Sequence, residues 1–146
     1  MAWALNVTMN IQDRAAFYAG VRRVLKPGGT FCISELGQGP GGEPYYPLPW
    51  ARDPSYSFLL PPEEMRALLE TAGFRIVEWL DEAARRAATA EEPTPSAPAP
   101  ETPLTIEITR GPDYPVRRAN SARSAKEGRL TNVMLVAERI QSPLTV

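Results

Sequence analysis

QDRAAFYAGVRRVLKPGGTFCISE, residues 12–35, decides how the rest of the chain is read. Phe17, Val21, Val24 and Leu25 recur at spacings of four, three and one, which places them on one stripe of an amphipathic helix. Asp13 is set to cap its first turn. Arg22, Arg23 and Lys26 gather at its last turn, where the negative end of the helix dipole favours cations, and Pro27-Gly28-Gly29 forbids continuation. Thr30-Phe31-Cys32-Ile33-Ser34 follows at once, a run of β-branched and apolar residues ending at Glu35 that reads as a strand buried on both faces.

Helix, glycine turn and buried strand make half of a right-handed β-α-β crossover, the unit of parallel sheets with helices on both faces. Working outward, MAWALNVT at residues 1–8 supplies the preceding strand. Ligands of such sheets sit beyond the carboxyl ends of the strands, here near residues 3–8 and 35–42. A second helix starts at Pro61-Pro62-Glu63-Glu64, carries Met65, Leu68, Leu69 and Ala72 on one face and stops at Gly73, and FRIVEWL at 74–80 is the next strand. Trp79 belongs to that strand's core pattern. Between the two units lies an insertion, residues 36–60, too long for an ordinary connection. Its Tyr45, Tyr46, Trp50, Tyr56 and Phe58, stiffened by Pro47 and Pro49, read as a lid. Gly37, Gly39, Gly41 and Gly42 do not form a phosphate cradle, lacking the G-x-G-x-x-G spacing into a helix, and read as hinge glycines.

Further on, residues 81–92 read as an alanine-rich exposed helix, and 89–104, centred on PTPSAPAPETP, as a flexible connection. Residues 104–109 alternate as a short strand would, 117–127 read as a basic helix, and LTNVMLVAERI at 130–140 as a strand inside a sheet. Residues 1–140 thus form one unit with a tail at 141–146. Sixteen Lys and Arg against seventeen Asp and Glu give a net charge of -1, which offers no electrostatic case for nucleic acid or an anionic membrane and points to a small-molecule partner. One cysteine, Cys32, excludes an internal disulfide and reads as apolar filler. No apolar run is long enough to span a bilayer and no secretory leader is legible, so the expected compartment is the cytoplasm. The absence of histidine removes His-based triads, most catalytic zinc sites and the usual general base at neutral pH.

MNIQDRAAFYAGVRRVLKPGG at 9–29, with YPLPWARDPSYSFLLPPEEMRALLETAGF at 46–74, resembles the C-terminal half of class I S-adenosylmethionine-dependent methyltransferases, on the small-molecule branch with sarcosine/dimethylglycine and sugar or polyketide enzymes. The likeness covers residues 1–80 well and 120–139 more loosely. It implies a partial Rossmann-like α/β fold, strands 4 to 7 with flanking helices, in which the last strand runs antiparallel beside the strand after the PGG turn. It implies S-adenosyl-L-methionine as cofactor, with Trp3, Ala4 and Leu5 on its side of the site. Trp3 could equally pack under the helix. Many relatives carry histidine where this sequence has Asn6, which can orient or hydrogen-bond but not titrate near neutral pH, or can simply serve the turn. Tyr46 and Trp50 would face the methyl acceptor. Arg129 would pair with an acceptor carboxylate or lie as a surface cation.

The family's glycine-rich cofactor loop and its ribose-binding acid have no counterpart here, so the chain reads as a portion of a larger or truncated enzyme, inactive alone. Its expected partners are a missing N-terminal half or a second copy meeting the exposed edge of the first strand. The competing readings are a non-catalytic α/β binding or interaction module that has lost the cofactor half, and a nicotinamide-dependent reductase, which lacks the same loop.

Overall fold

The computed structural model describes residues 1–81 and 107–141. The expected helix and flexible connection beyond Asp81 and the tail after Gln141 lie outside them. Strand β1 (Ala2–Leu5) leads through a 3-10 turn at Thr8–Asn10 to helix α1 (Arg14–Val24) and strand β2 (Thr30–Gln38). After a long connection with a 3-10 turn at Pro54–Tyr56 come α2 (Pro62–Thr71) and β3 (Phe74–Asp81), then α3 (Glu107–Arg110), α4 (Tyr114–Lys126) and β4 (Leu130–Arg139). The sheet order is β1-β2-β4-β3. β1 and β2 are parallel, and β4 lies antiparallel between β2 and β3, as the resemblance implies.

Local chemistry accounts for the element ends. The Asp13 side chain accepts from the Ala16 N–H at 2.8 Å, closing an orphan donor of α1. Gly73 ends α2 at φ 85°, and a Cβ there would lie 2.6 Å from Arg22 Nε, so both backbone angle and space require glycine. The Gly28 N–H donates to Arg139 O and the Arg139 N–H to Gly29 O, so the PGG turn tethers the last strand.

Two details of the central stretch differ from the sequence reading. The buried face of α1 is Arg14 and Tyr18, continued by Leu25 at the C-cap, with Phe17 and Val21 packed against the core, whereas Val24 is 64% exposed. Strand β2 is longer than expected and buried only on alternate residues, because the described helices α1 and α2 cover one face of the sheet. Cys32 falls on the other face and is half-buried. On the covered face Phe31 meets Tyr18 at 6.3 Å and 67° and Phe74 at 5.7 Å and 44°. Each such pair adds about 0.5–1.5 kcal/mol to the ~1.5–3 kcal/mol of burying the ring itself. Trp79 packs against this core with Arg66 over its ring at 4.5 Å.

A third correction concerns residues 104–109. Glu107–Arg110 is helical, so the expected strand is absent there; alternation over so few residues does not separate strand from helix.

Candidate functional site

The pairings Leu5 with Ser34 and Gln38 with Leu130 bring the carboxyl ends of β1 and β2 and the start of β4 to one end of the sheet. Asn6 sits there with φ 51°, a left-handed conformation that asparagine tolerates, and its N–H donates to Ser34 O at 2.8 Å. Its backbone makes the turn off β1 while its side chain is exposed.

Just beyond, Glu35 points from β2 into the covered side and is fully buried. Its carboxylate accepts from the Thr8 N–H at 2.9 Å, the Thr8 hydroxyl at 2.5 Å and the Met9 N–H at 3.0 Å, capping the 3-10 turn that follows Asn6. Arg14 donates to the Thr8 hydroxyl from Nη1, which also reaches Tyr18 OH at 3.4 Å, and to Phe58 O from Nη2 at 2.9 Å. Burial pushes the Tyr18 phenol above its ordinary pKa, with the hydrogen bond and charge of Arg14 acting the other way. One buried network therefore joins the turn after β1, helix α1, strand β2 and the end of the long connection. Sequence reasoning did not find it, since Arg14 occupies a position where a stripe asks for an apolar residue.

The long connection is an ordered strap over residues 39–60. At its start the Gly39 N–H donates to Arg129 O and the Gly41 N–H to Gly128 O, both at 2.9 Å. At its end Phe58 N–H donates to Met9 O, and Gln38 N–H to Leu60 O. Gly39 and Gly41 are not hinges. A Cβ on them would lie 2.1 Å from Gly128 O and 2.4 Å from Glu127 O, so these glycines permit two backbones to touch.

Midway, the strap docks on α4. Ser124 Oγ accepts from Tyr45 N–H at 2.9 Å, Asn120 donates to Pro47 O at 3.1 Å, and Leu48 is fully buried. The Tyr45 ring lies against two guanidinium groups, Arg123 at 3.9 Å and Arg129 at 4.4 Å, while its hydroxyl donates to Glu127 at 2.8 Å. Arg123 and Arg129 also ion-pair with Glu127, at 2.8 and 2.9 Å. Hydrogen bonds from Arg123, Tyr45 and Arg129, in that order, lower the Glu127 pKa to about 2. A depressed carboxylate stabilises the docked state above its ordinary pKa and ceases to do so as pH falls through the depressed one. The strap is thus expected to stay docked above about pH 4.5 and to loosen as pH falls toward 2. The Tyr45 ring resonances followed by NMR against pH check this, and Glu127→Gln should remove the dependence.

The site residues expected from sequence fall into two groups. Tyr46 lines a cleft of about 210 Å3 with Gln38, Glu43, Pro54, Ser57 and Leu59. The Trp50 indole N–H donates to Ser57 Oγ at 3.2 Å, and Arg129 donates to Glu43 O at 2.8 Å, so all three residues gather around the strap cleft. Arg129 is engaged there by Glu127, Glu43 and Tyr45 and fastens the strap. Trp3, Ala4, Leu5 and Asn6 form the other group on β1. Ala4 is in the core, while Trp3 is 65% exposed and does not pack under the helix. A larger depression of about 560 Å3, lined by Arg66, Phe74, Arg75 and Glu138 among others, lies at the opposite end of the sheet, where Phe74 pairs with Arg139. Its size is no guide to the site, because ligands of such sheets bind at the carboxyl ends of the parallel strands.

Several solved structures match nearly all of this chain. The [4+2]-cyclase SpnF aligns at TM-score 0.59 and 21% identity over 97% of this chain and 50% of its own. A putative sarcosine dimethylglycine methyltransferase from Galdieria sulphuraria aligns at TM-score 0.61 and 13% identity, covering 94% and 52%. Geranyl diphosphate C-methyltransferase from Streptomyces coelicolor aligns at TM-score 0.59 and 17% identity, covering 95% and 47%. The fold is that of the small-molecule class I methyltransferases. The chain spans about half the length of these matched structures. No protein-family model and no curated protein matches the sequence. This fold carries more than one chemistry, since one of the three matches is described as a cyclase.

Proposed function

We propose that this chain forms the acceptor side of an S-adenosylmethionine-dependent transfer of a methyl group to a small molecule. The observation that carries the reading is the strap: an ordered aromatic segment fastened across the carboxyl ends of the strands in a methyltransferase fold. Methyl transfer from a sulfonium is an in-line displacement that asks chiefly for alignment and exclusion of water, and a chain without histidine can supply both. Tyr46 and Trp50 would hold the acceptor in the strap cleft. Arg129 would act through the strap it fastens. Asn6 would orient a group by hydrogen bonding.

The residues present fit one flank of the cofactor. Leu5 and Asn6 are exposed at the end of β1, with Trp3 and Leu5 as apolar surface. Glu35, the buried carboxylate beside β1, is occupied by Thr8 and Met9 and is not placed to receive the ribose hydroxyls. The cofactor would supply the electrophilic methyl group, and the remaining contacts would come from outside the described residues.

Calorimetric titration of the chain alone with S-adenosylmethionine is expected to show no micromolar binding. Radiolabelled methyl transfer to a panel of amine, hydroxyl and prenyl acceptors should appear only when the rest of such a fold is supplied. Absence of transfer from that assembly, with the chain folded within it, would favour a second reading that the engaged Glu35 also supports: an α/β interaction module without catalysis.

A further inference from the structure

Arg14 stands where α1 asks for an apolar side chain, and it is 4% exposed. Taking a guanidinium out of water is costly, and well-packed apolar residues often stabilise a fold as much or more, so a buried charge of this kind is best explained by what it fixes in place. Its Nε makes no hydrogen bond among the described residues, and the whole grip falls to the fork: Nη1 donates to the Thr8 hydroxyl and reaches Tyr18 OH, while Nη2 donates to Phe58 O. Thr8 passes the hold on to β2, since its hydroxyl and its N–H both donate to Glu35. One tine therefore holds the turn after β1 and the other holds the end of the strap. Phe58 is gripped on both sides of its backbone, because its N–H donates to Met9 O at 2.8 Å. The turn so gripped follows Asn6 at φ 51°, a left-handed conformation that costs a residue other than glycine free energy and persists where its surroundings over-determine it.

We infer that Arg14 is a positioning residue that couples the strap to the turn at Asn6, so that docking the strap holds the turn and releasing it frees the turn. The strap can transmit such a change because it is internally braced between its fastening on α4 and its end at Phe58. Leu48 and Ala51 exchange backbone hydrogen bonds at 2.7 and 3.2 Å, and the Trp50 indole N–H donates to Ser57 Oγ. The coupling then runs from Tyr45 through the strap to Phe58, across the Arg14 fork to Thr8, and ends at Asn6. Lysine at position 14 would carry the same charge on a single nitrogen and could not bridge Thr8 and Phe58 as the planar fork does. This inference deepens the function proposed above and rests on that reading for its purpose: the acceptor cleft beside the strap and the cofactor flank at Asn6 would be set by one motion, an undocked strap leaving that flank loose. The coupling itself is a property of the chain.

Amide hydrogen exchange of the full chain, followed by NMR, tests the coupling without cofactor or acceptor. Tyr45→Ala removes the ring that Arg123 and Arg129 lie against and the hydroxyl on Glu127. It should speed exchange of the Asn6 N–H by about fivefold or more, and by more than it speeds the amides in the middle of the β2–β4 ladder. In an Arg14→Lys background the same change should alter Asn6 by less than about twofold. Thr8→Val cuts the link at its other end and should uncouple in the same way, which keeps the test open if the lysine variant does not fold. Linkage is reciprocal, so Arg14→Lys alone should speed exchange of the Tyr45 N–H, whose acceptor is Ser124 Oγ on α4. An Asn6 N–H that exchanges alike in Tyr45→Ala and the parent, or that gains no more than the ladder amides, overturns the coupling. An equal gain with and without the Arg14 and Thr8 changes overturns Arg14 as its carrier and gives the role to the bond between Phe58 and Met9. A coupled chain from which the complete fold transfers no methyl group would uphold the inference and remove the function proposed above.

Discussion

Glu35→Ala should destabilise the protein by about 3–5 kcal/mol, the cost of removing one member of a buried charged network and leaving the others unpaired. The side chain is fully buried and accepts three hydrogen bonds, two of them from backbone N–H groups. Its removal also leaves the Arg14 guanidinium facing Thr8, Tyr18 and a carbonyl with no nearby anion of that network, and Arg14 Nε is already buried without a partner. For a chain of this size the loss corresponds to a drop of roughly 10–20 °C in melting temperature. Glu35→Gln keeps one acceptor oxygen and should cost less, about 1–3 kcal/mol. Thermal unfolding followed by circular dichroism measures both. An alanine variant that melts with the parent would mean that the network contributes nothing to the fold.

Gly39→Ala is expected to loosen the strap and leave the sheet intact. The new Cβ would sit 2.1 Å from Gly128 O and 2.9 Å from Gly128 C, against backbone that is itself held by the Gly41 N–H. Relief requires the strap to move away, with loss of the 2.9 Å bond to Arg129 O. Overpacking of this kind costs about 1–3 kcal/mol, which would raise amide exchange across the strap roughly 5- to 150-fold. Gly20→Ala provides the contrast. That glycine lies inside α1 with nothing within 4 Å of a Cβ, so alanine there should stabilise by about 0.5–1 kcal/mol. Equal exchange across the strap in the Gly39 variant and the parent would show that the close approach is not what docks it.

The elements were legible where the signal is local. Asp13, the PGG turn, the acids before Met65 and the glycine at 73 each act within a turn of their own position, and α1 and α2 follow from them, whereas the place of the last strand in the sheet follows from the family resemblance. Contacts made at long range were not. Arg14 falls on the buried face of α1 at the i−4 position to Tyr18, but its charge hides it until Thr8, Glu35 and Phe58 are brought together. Tyr45 reads as a lid aromatic in the sequence, and its partners Arg123 and Glu127 lie about eighty residues away. The two glycines at 39 and 41 resemble hinges until Gly128 is laid against them. The sequence of β2 reads as covered on both faces because apolar composition marks which residues can be buried, not how many layers are there to bury them.

The placement of β4 bears on how this polypeptide reaches its final shape during synthesis. β2 and β3 share no pairing; β2 has β1 on one side and waits for β4 on the other, β3 meets only β4 among the described residues, and Thr30 must wait for Glu138. While the ribosome is still adding residues 82–129, β3 can be present as a hairpin-less ribbon resting on α2, with its hydrogen-bonding edge open on both sides. Closure across so many intervening residues is slow compared with the making of α1 or α2. The nascent chain therefore stays adhesive until β4 emerges, and a chaperone that shields strand edges has its longest opportunity here.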